Sequence, residues 1–243
     1  MPQILTKYAS GALANSEAAD AVLDPKSAFR YFVDFIVDKE DDEFATNDVG
    51  GTSTYTNNAI HGGEFQIATG AAADGNGGVV CSPQDFVVLD GGRFVYFEAR
   101  VQVDNLASSW VVGLSADAPA TTEWSTSTIT PSVAAVLVGR DAGTDLLTGA
   151  VANRTLQLSL FGTSHTETVI PLDFTLAVNT YYRIGFVIQG WTVQVFVNGK
   201  RYGPATKINS NVTTPMGVYC GIVTTSAAAR NMRLDYIDCV ATR

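Results

Sequence analysis

Apolar and polar residues alternate with a period of two over several stretches of this chain, and two of the clearest stretches are neighbours. Tyr182, Ile184, Phe186 and Ile188 take every second place in one run, and Trp191, Val193, Val195 and Val197 do so in the next. Successive side chains of a strand point to opposite faces, so each run lays one apolar row on a core. Gln189 and Gly190 between the runs predict a two-residue loop. Asn198 and Gly199 after them predict a second tight turn that leads directly into a third strand. The same alternation fills Phe94 to Val103: Val95, Phe97, Ala99, Val101 and Val103 form one face, and Phe94, Tyr96, Glu98, Arg100 and Gln102 the other.

Further strands are expected at 63–69, 110–114, 134–139, 155–161, 167–170, 217–223 and 232–242. In the last of these, Met232, Leu234, Tyr236 and Val240 read as one row against Arg233, Asp235 and Cys239. Residues 30–37 are apolar and aromatic with a period that fits helix or strand. The glycine pairs at 62–63, 77–78 and 91–92 read as turns, as does 74–78 as a whole. Residues 116–133 are rich in Ala, Thr, Ser and Pro, show no periodicity and read as a long surface loop. Roughly ten or more short strands, with no helical run among them and no fixed-period repeat, predict an all-β fold of two stacked antiparallel sheets, a jelly-roll sandwich. The sandwich is expected to occupy 29–243, after an Ala-rich N-terminal arm or lead-in at 1–28 that carries Leu13 and Leu23.

Composition adds exclusions. At 46% hydrophobic and 16% charged, the 243-residue chain has the make-up of a folded protein. Fifteen basic residues stand against 24 acidic ones, net −9, and no basic run exists to neutralise phosphates, which argues against a nucleic-acid partner. No stretch nears the roughly 20 apolar residues of a membrane-spanning helix, and the first residues lack the pattern of a signal peptide, so no membrane is expected and synthesis is placed in a cytoplasm. The three cysteines, Cys81, Cys220 and Cys239, form no metal-binding spacing and are expected as free buried thiols, with a Cys220–Cys239 disulfide as the alternative. The acidic run at 38–43 reads as a solvated loop in preference to a cation site, and 74–78 has too few spaced carboxylates for a calcium loop of the EF-hand type.

Five stretches carry a resemblance. FEARVQV at 97–103 is followed by VVGL at 111–114, then by YYRIGF and VFVNGK at 181–186 and 195–200, and by RLDYID at 233–238. In this order they resemble the concanavalin A-like lectin/glucanase jelly roll over about residues 29–243 and, within it, a group of tailed-bacteriophage virion proteins. That resemblance implies a capsid decoration or minor head protein on the capsid surface, bound to the major capsid protein and assembled as a homo-oligomer, with a trimer as the first candidate. A lectin-like module of a tail fibre or head surface, with a glycan as partner, is the alternative.

Glucanases of this fold carry a glutamate, an aspartate two residues on and a second glutamate along one strand, and no strand here does. Glu98 reads as a cross-strand partner of Arg or Lys. His61 and His165 are the only histidines and sit in no nucleophile motif. No catalytic, cofactor-binding or metal-binding residue is therefore assigned, no cofactor is expected, and the chain is read as a non-enzyme. Trp110, Trp124, Trp191, Tyr181 and Tyr182 are the aromatic candidates for a sugar platform. Trp110 and Trp191 fall on apolar rows, which leaves Trp124 with Thr122 and Glu123 in TTEWS as the candidate interaction surface, together with Leu13 and Leu23 of the arm.

Overall fold

The computed structural model describes residues 28–35, 44–58, 63–70, 76–83, 85–89, 93–105, 108–116, 124–125, 128–129, 135–140, 155–161, 168–207, 214–224 and 228–242. The strands in them are β1 (Ala28–Asp34), β2 (Ala45–Val49), β3 (Thr54–Asn58), β4 (Glu64–Ala68), β5 (Gly77–Cys81), β6 (Val95–Val103), β7 (Ser108–Ser115), β8 (Trp124–Ser125), β9 (Thr128–Ile129), β10 (Ala135–Arg140), β11 (Thr155–Phe161), β12 (Thr168–Thr175), β13 (Tyr182–Gln189), β14 (Thr192–Val197), β15 (Lys200–Lys207), β16 (Gly217–Thr224) and β17 (Asn231–Thr242). Among the described residues there is no helix, and so none long and apolar enough to cross a membrane.

Two antiparallel sheets make the fold. An eight-stranded sheet runs β15-β14-β13-β6-β17-β4-β3, with β1 added beside β17; a seven-stranded sheet runs β12-β11-β10-β7-β16-β5-β2. The arm at 1–28 and the whole acidic run at 38–43 lie outside the described residues, apart from Ala28, which opens β1. The stretch at 30–37, open between helix and strand from its pattern, is strand through Asp34.

The predicted rows meet between the sheets. Val95, Phe97, Ala99, Ile184, Phe186, Val193 and Val195 of one sheet share a core with Trp110, Val112, Leu114, Leu158, Val218 and Ile222 of the other. Phe97 and Phe186 are register partners on β6 and β13, and their rings stack with centroids 5.1 Å apart. Burying one such side chain contributes about 1.5–3 kcal/mol, and this double row is what fixes the register.

The hairpins show where sequence and structure part. Gln189 pairs with Thr192, so the loop is Gly190 and Trp191, both at positive φ (55° and 66°). Trp191 is thus a turn residue whose ring packs against the core edge, not the first member of the Val193 row as its spacing implied. Asn198 and Gly199 form the second such turn at φ 51° and 78°, as expected, and β15 follows at once. Two positive φ values in a two-residue loop match the right-handed twist of the strands they join.

Three further expectations need correction. Gly77 and Gly78 lie in β5, not in a turn: a Cβ on Gly77 would come within 2.5 Å of the Ile222 carbonyl, and one on Gly78 within 2.7 Å of Ile67. Glycine is there for close approach of neighbouring atoms. In the stretch read as a featureless loop at 116–133, β8 and β9 pair as a small separate ribbon, with Trp124 opposite Ile129. Finally, β17 shifts register between Leu234 and Tyr236. This β-bulge adds Asp235 to the strand. After it Ile237, Cys239 and Ala241 face the core, and Tyr236 and Val240 do not.

All three cysteines are free and buried. Cys220 and Cys239 sit on different sheets and form no disulfide; burial pushes both thiols well above the usual range.

Candidate functional site on the outer face of the eight-stranded sheet

Side chains that alternate with the core row of β6 stand on the outer face of its sheet, and antiparallel pairing sets them in rows with their neighbours. One row reads Arg201, Phe196, Gly185, Glu98, Asp238 and Phe32 across six strands. The next reads Arg183, Arg100, Tyr236 and Asp34. Beyond it, Gln102, Arg233 and Gln66 are register partners. Toward the other end of the strands, the face turns apolar at Phe94, Val187 and Phe196, which cluster with Tyr96.

Glu98 is the deepest polar group of the tract, only 7% exposed. Tyr236 donates its hydroxyl to Glu98 Oε1, and Gly185 lies directly opposite on β13. A Cβ on Gly185 would collide with the Phe97 carbonyl and stand 3.1 Å from Glu98 Cα, so only glycine admits this approach. Burial pushes the Glu98 carboxyl above its usual range; the Tyr236 hydrogen bond, the Arg183 charge and the Tyr96 hydrogen bond pull it down, and Asp238 pushes it up again. Asp238 is held in turn by both Nε and Nη2 of Arg30, at 2.9 Å each. The Arg30 guanidinium also lies 4.9 Å from the ring of Phe32, which is 47% exposed.

A second network surrounds the bulge. Arg100 Nη1 donates to Asp235 Oδ2 at 2.6 Å, and its guanidinium lies 4.5 Å above the Tyr181 ring. Tyr181 donates its hydroxyl to Glu64, and Arg233 stands 3.9 Å from the other oxygen of that carboxylate. Burial, the bond to Glu64 and the Glu64 charge together raise the phenol pKa. At the end of the strands, Gln66 Nε2 donates to Asn231 Oδ1 at 2.9 Å, and Asn231 Nδ2 donates to Asp104 Oδ2 at 2.6 Å. Asp104 Oδ1 is buried without a hydrogen-bond partner. Partly exposed ion pairs add only about 0.2–1 kcal/mol each. Their main effect here is to hold planar donor and acceptor groups in fixed orientation.

The residues singled out from sequence are distributed differently. Glu98, expected as a cross-strand partner of an Arg or Lys, takes its hydrogen bond from Tyr236 across on β17, with the charge of Arg183 on β13 acting on it as well. Trp110 is a core residue, as its spacing implied. Trp124 lies on β8, away from both sheets in pairing. Leu13, Leu23, Thr122 and Glu123 lie outside the described residues, as do His61 and His165. Among the described residues no group of three or more His, Cys, Asp or Glu is placed to hold a metal ion. Of the aromatic candidates, Tyr181 joins the tract, while Tyr182 packs against the core and against Phe174.

The other sheet is different on its corresponding face. Val79, Val111, Tyr219 and Val223 alternate with its core rows yet are buried too. Its central strands β5, β7, β10, β11 and β16 carry no carboxylate at all. The polar face of the eight-stranded sheet is thus the best-formed chemical surface among the described residues.

No protein-family model matches the chain, and no curated protein matches it. Solved structures do. A Bacillus licheniformis β-glucanase is 12% identical, with 89% of this chain and 98% of that one covered at a TM-score of 0.56. The carbohydrate recognition domain of Emp47p is 10% identical over 89% and 97%, at 0.60. The apo Crh5 transglycosylase is 13% identical over 86% and 83%, at 0.56. The fold is therefore the concanavalin A-like jelly-roll sandwich, found in lectin-type and glucanase-type proteins alike.

These likenesses correct the expectation of a non-enzyme. A glucanase and a transglycosylase share the architecture, so the fold does not exclude enzymes. Linear sequence shows only carboxylates spaced along one strand. Pairing of β6 with β17 instead sets Glu98 opposite Asp238, which linear spacing does not show. The virion setting gains nothing from these neighbours and rests on the strand motifs alone.

Proposed function

We propose that this is a carbohydrate-directed jelly-roll protein that engages a glycan along the outer face of its eight-stranded sheet. The observation that carries the reading is the continuous tract from Asp104 and Asn231, through Tyr181 with Arg100 stacked on it, to Asp238 and Phe32. Sugar recognition needs aromatic faces for C–H surfaces and fixed, planar donors and acceptors for paired hydroxyls. The tract offers both, and it ends at Asp104, whose buried Oδ1 has no hydrogen-bond partner. A glycan array with the purified protein, repeated with Tyr181→Ala and Asp104→Ala, tests this. Hits that both variants abolish support it; hits unaffected by either move the site elsewhere, and a blank array counts against glycan binding.

The Glu98–Asp238 juxtaposition favours a second reading, glycoside hydrolysis. Direct cross-strand partners place their Cβ atoms about 4.5–5.5 Å apart, and a retaining hydrolase needs its two carboxyl groups about 5–5.5 Å apart, one of them protonated as the acid. Release of reducing ends from bound polysaccharide, lost in Glu98→Gln, is its test. The virion setting, with the major capsid protein and further copies of the chain as protein partners, stays within the proposal on the strength of the strand motifs; absence of the protein from purified particles would remove it.

A further inference from the structure

The surface around Tyr181 carries an arrangement that a neutral sugar does not require. Arg100 and Arg183 are direct register partners on β6 and β13, and like charges directly opposite each other in a sheet are destabilising. Arg233 stands on the other side of the same spot. It makes no hydrogen bond to its nearest carboxylate, Glu64, which lies at 3.9 Å and already accepts from Tyr181. The guanidiniums are the outer members of these pairs: Arg100 and Arg233 side chains are 40% and 45% exposed, against 23% for Asp235 and 15% for Glu64. Three arginines thus gather here with three carboxylates, Asp235, Glu64 and the deeper Glu98, and it is the guanidiniums of Arg100 and Arg233 that reach outward.

We propose that the glycan bound on this face is a carboxylated one, a uronate-bearing polysaccharide whose carboxylate is taken by Arg100 and Arg233 while the sugar ring lies beside Tyr181. The inference rests on the glycan-binding reading and narrows it. A guanidinium presents its donors in a planar fork that matches a carboxylate. Arg100 spends Nη1 on Asp235 and lies over the Tyr181 ring, and Arg233 holds Glu64 only at 3.9 Å, an ion pair without a hydrogen bond.

The experiment compares oligogalacturonate with the same oligomer after chemical reduction of its carboxyl groups, by calorimetry on the intact protein. Dextran sulfate serves as a polyanion control, and a neutral-glycan array is run in parallel. The expected result is binding of the uronate oligomer that weakens about tenfold or more in Arg233→Gln and on carboxyl reduction, the scale of one charged hydrogen-bond pair. Arg100→Lys, which keeps the charge and loses the fork, should weaken it as well. Thermal melts of both variants check that they remain folded. Equal binding of the reduced oligomer overturns the inference while leaving glycan binding intact. Equal binding of dextran sulfate, with Arg100→Lys silent, overturns it in favour of unspecific charge attraction. Failure of every oligomer and of the array overturns both readings.

Discussion

Deleting Asp235 should be far less harmful than deleting a residue from the neighbouring strand β6. Leu234 pairs with Val101 and Tyr236 with Arg100, with Asp235 as the extra residue between them. Removing it closes a regular ladder and leaves Met232, Leu234, Ile237, Cys239 and Ala241 facing the core. What is lost is the partly exposed Arg100–Asp235 pair, about 0.2–1 kcal/mol. For a domain of this size that is a fall in Tm of about 1–4 °C. Deleting Glu98 has no such remedy, because β6 pairs without a break against β13 and has no extra residue to absorb the slip. One half of the strand must then change face. If the C-terminal half slips, Val101 and Val103 leave the core at about 1.5–3 kcal/mol each. Arg100 enters it without its carboxylate, at about 3–5 kcal/mol more. The total of about 6–11 kcal/mol rivals the whole stability of a typical domain. Circular-dichroism melts of the two deletion proteins decide the matter: a cooperative transition near wild type for the Asp235 deletion and none for the Glu98 deletion are expected. Equal damage from both would refute the register drawn for β17.

Phe97→Ala should cost about 3–5 kcal/mol, because Phe97 is fully buried and stacked on Phe186; urea denaturation should show the midpoint falling accordingly, while Phe32→Ala, at a half-exposed site, changes it little. Native protein at pH 7 should leave its three thiols unlabelled by a maleimide, since all are buried and burial raises the thiol pKa of Cys220 and Cys239; rapid labelling before unfolding would contradict the packing of β5, β16 and β17. The Glu98 carboxyl binds its proton more tightly in the folded than in the unfolded chain, so this group's contribution is lost as pH rises from the ordinary glutamate range through its folded pKa. Glu98→Gln should therefore gain stability relative to wild type over that rise, and Tm-against-pH curves that stay parallel would exclude the raised pKa.

The strands most legible from sequence are those with one face on the core and one polar face. β6, β13 and β14 keep an apolar residue at nearly every second place, because a one-residue slip would expose that row. β5 was missed because it is buried along its whole length. A short run of Gly, Val and Cys without alternation offers no period to read, and its glycines imitate a turn. β2 and β3 were missed for the opposite reason: ATNDV and TYTNN bring so little apolar surface that only pairing with β5 and β4 makes them strands. The bulge in β17 was invisible for a subtler reason. Tyr236 and Val240 are apolar enough to continue the row begun by Met232 and Leu234, and only the partner strand β6 decides that Ile237 and Cys239 take the core instead.

The site was harder to read than the fold because its contacts join distant parts of the chain. Arg30 meets Asp238 across 208 positions, Tyr236 meets Glu98 across 138, Arg100 meets Asp235 across 135 and Tyr181 meets Glu64 across 117. Each of these residues, taken alone, is an ordinary polar member of an alternating strand. A tryptophan in a polar loop, such as Trp124, stands out in sequence more than a tyrosine beside a strand, such as Tyr181. Sheet pairing converts polar rows on separate strands into one surface with fixed spacing. It also explains the placement of Gly185: within β13 it reads as a gap in an apolar strand, yet opposite Glu98 it is what lets the two strands approach beside the buried carboxyl. The residues facing away from the core row of a central strand thus form a surface that only the pairing of strands makes visible.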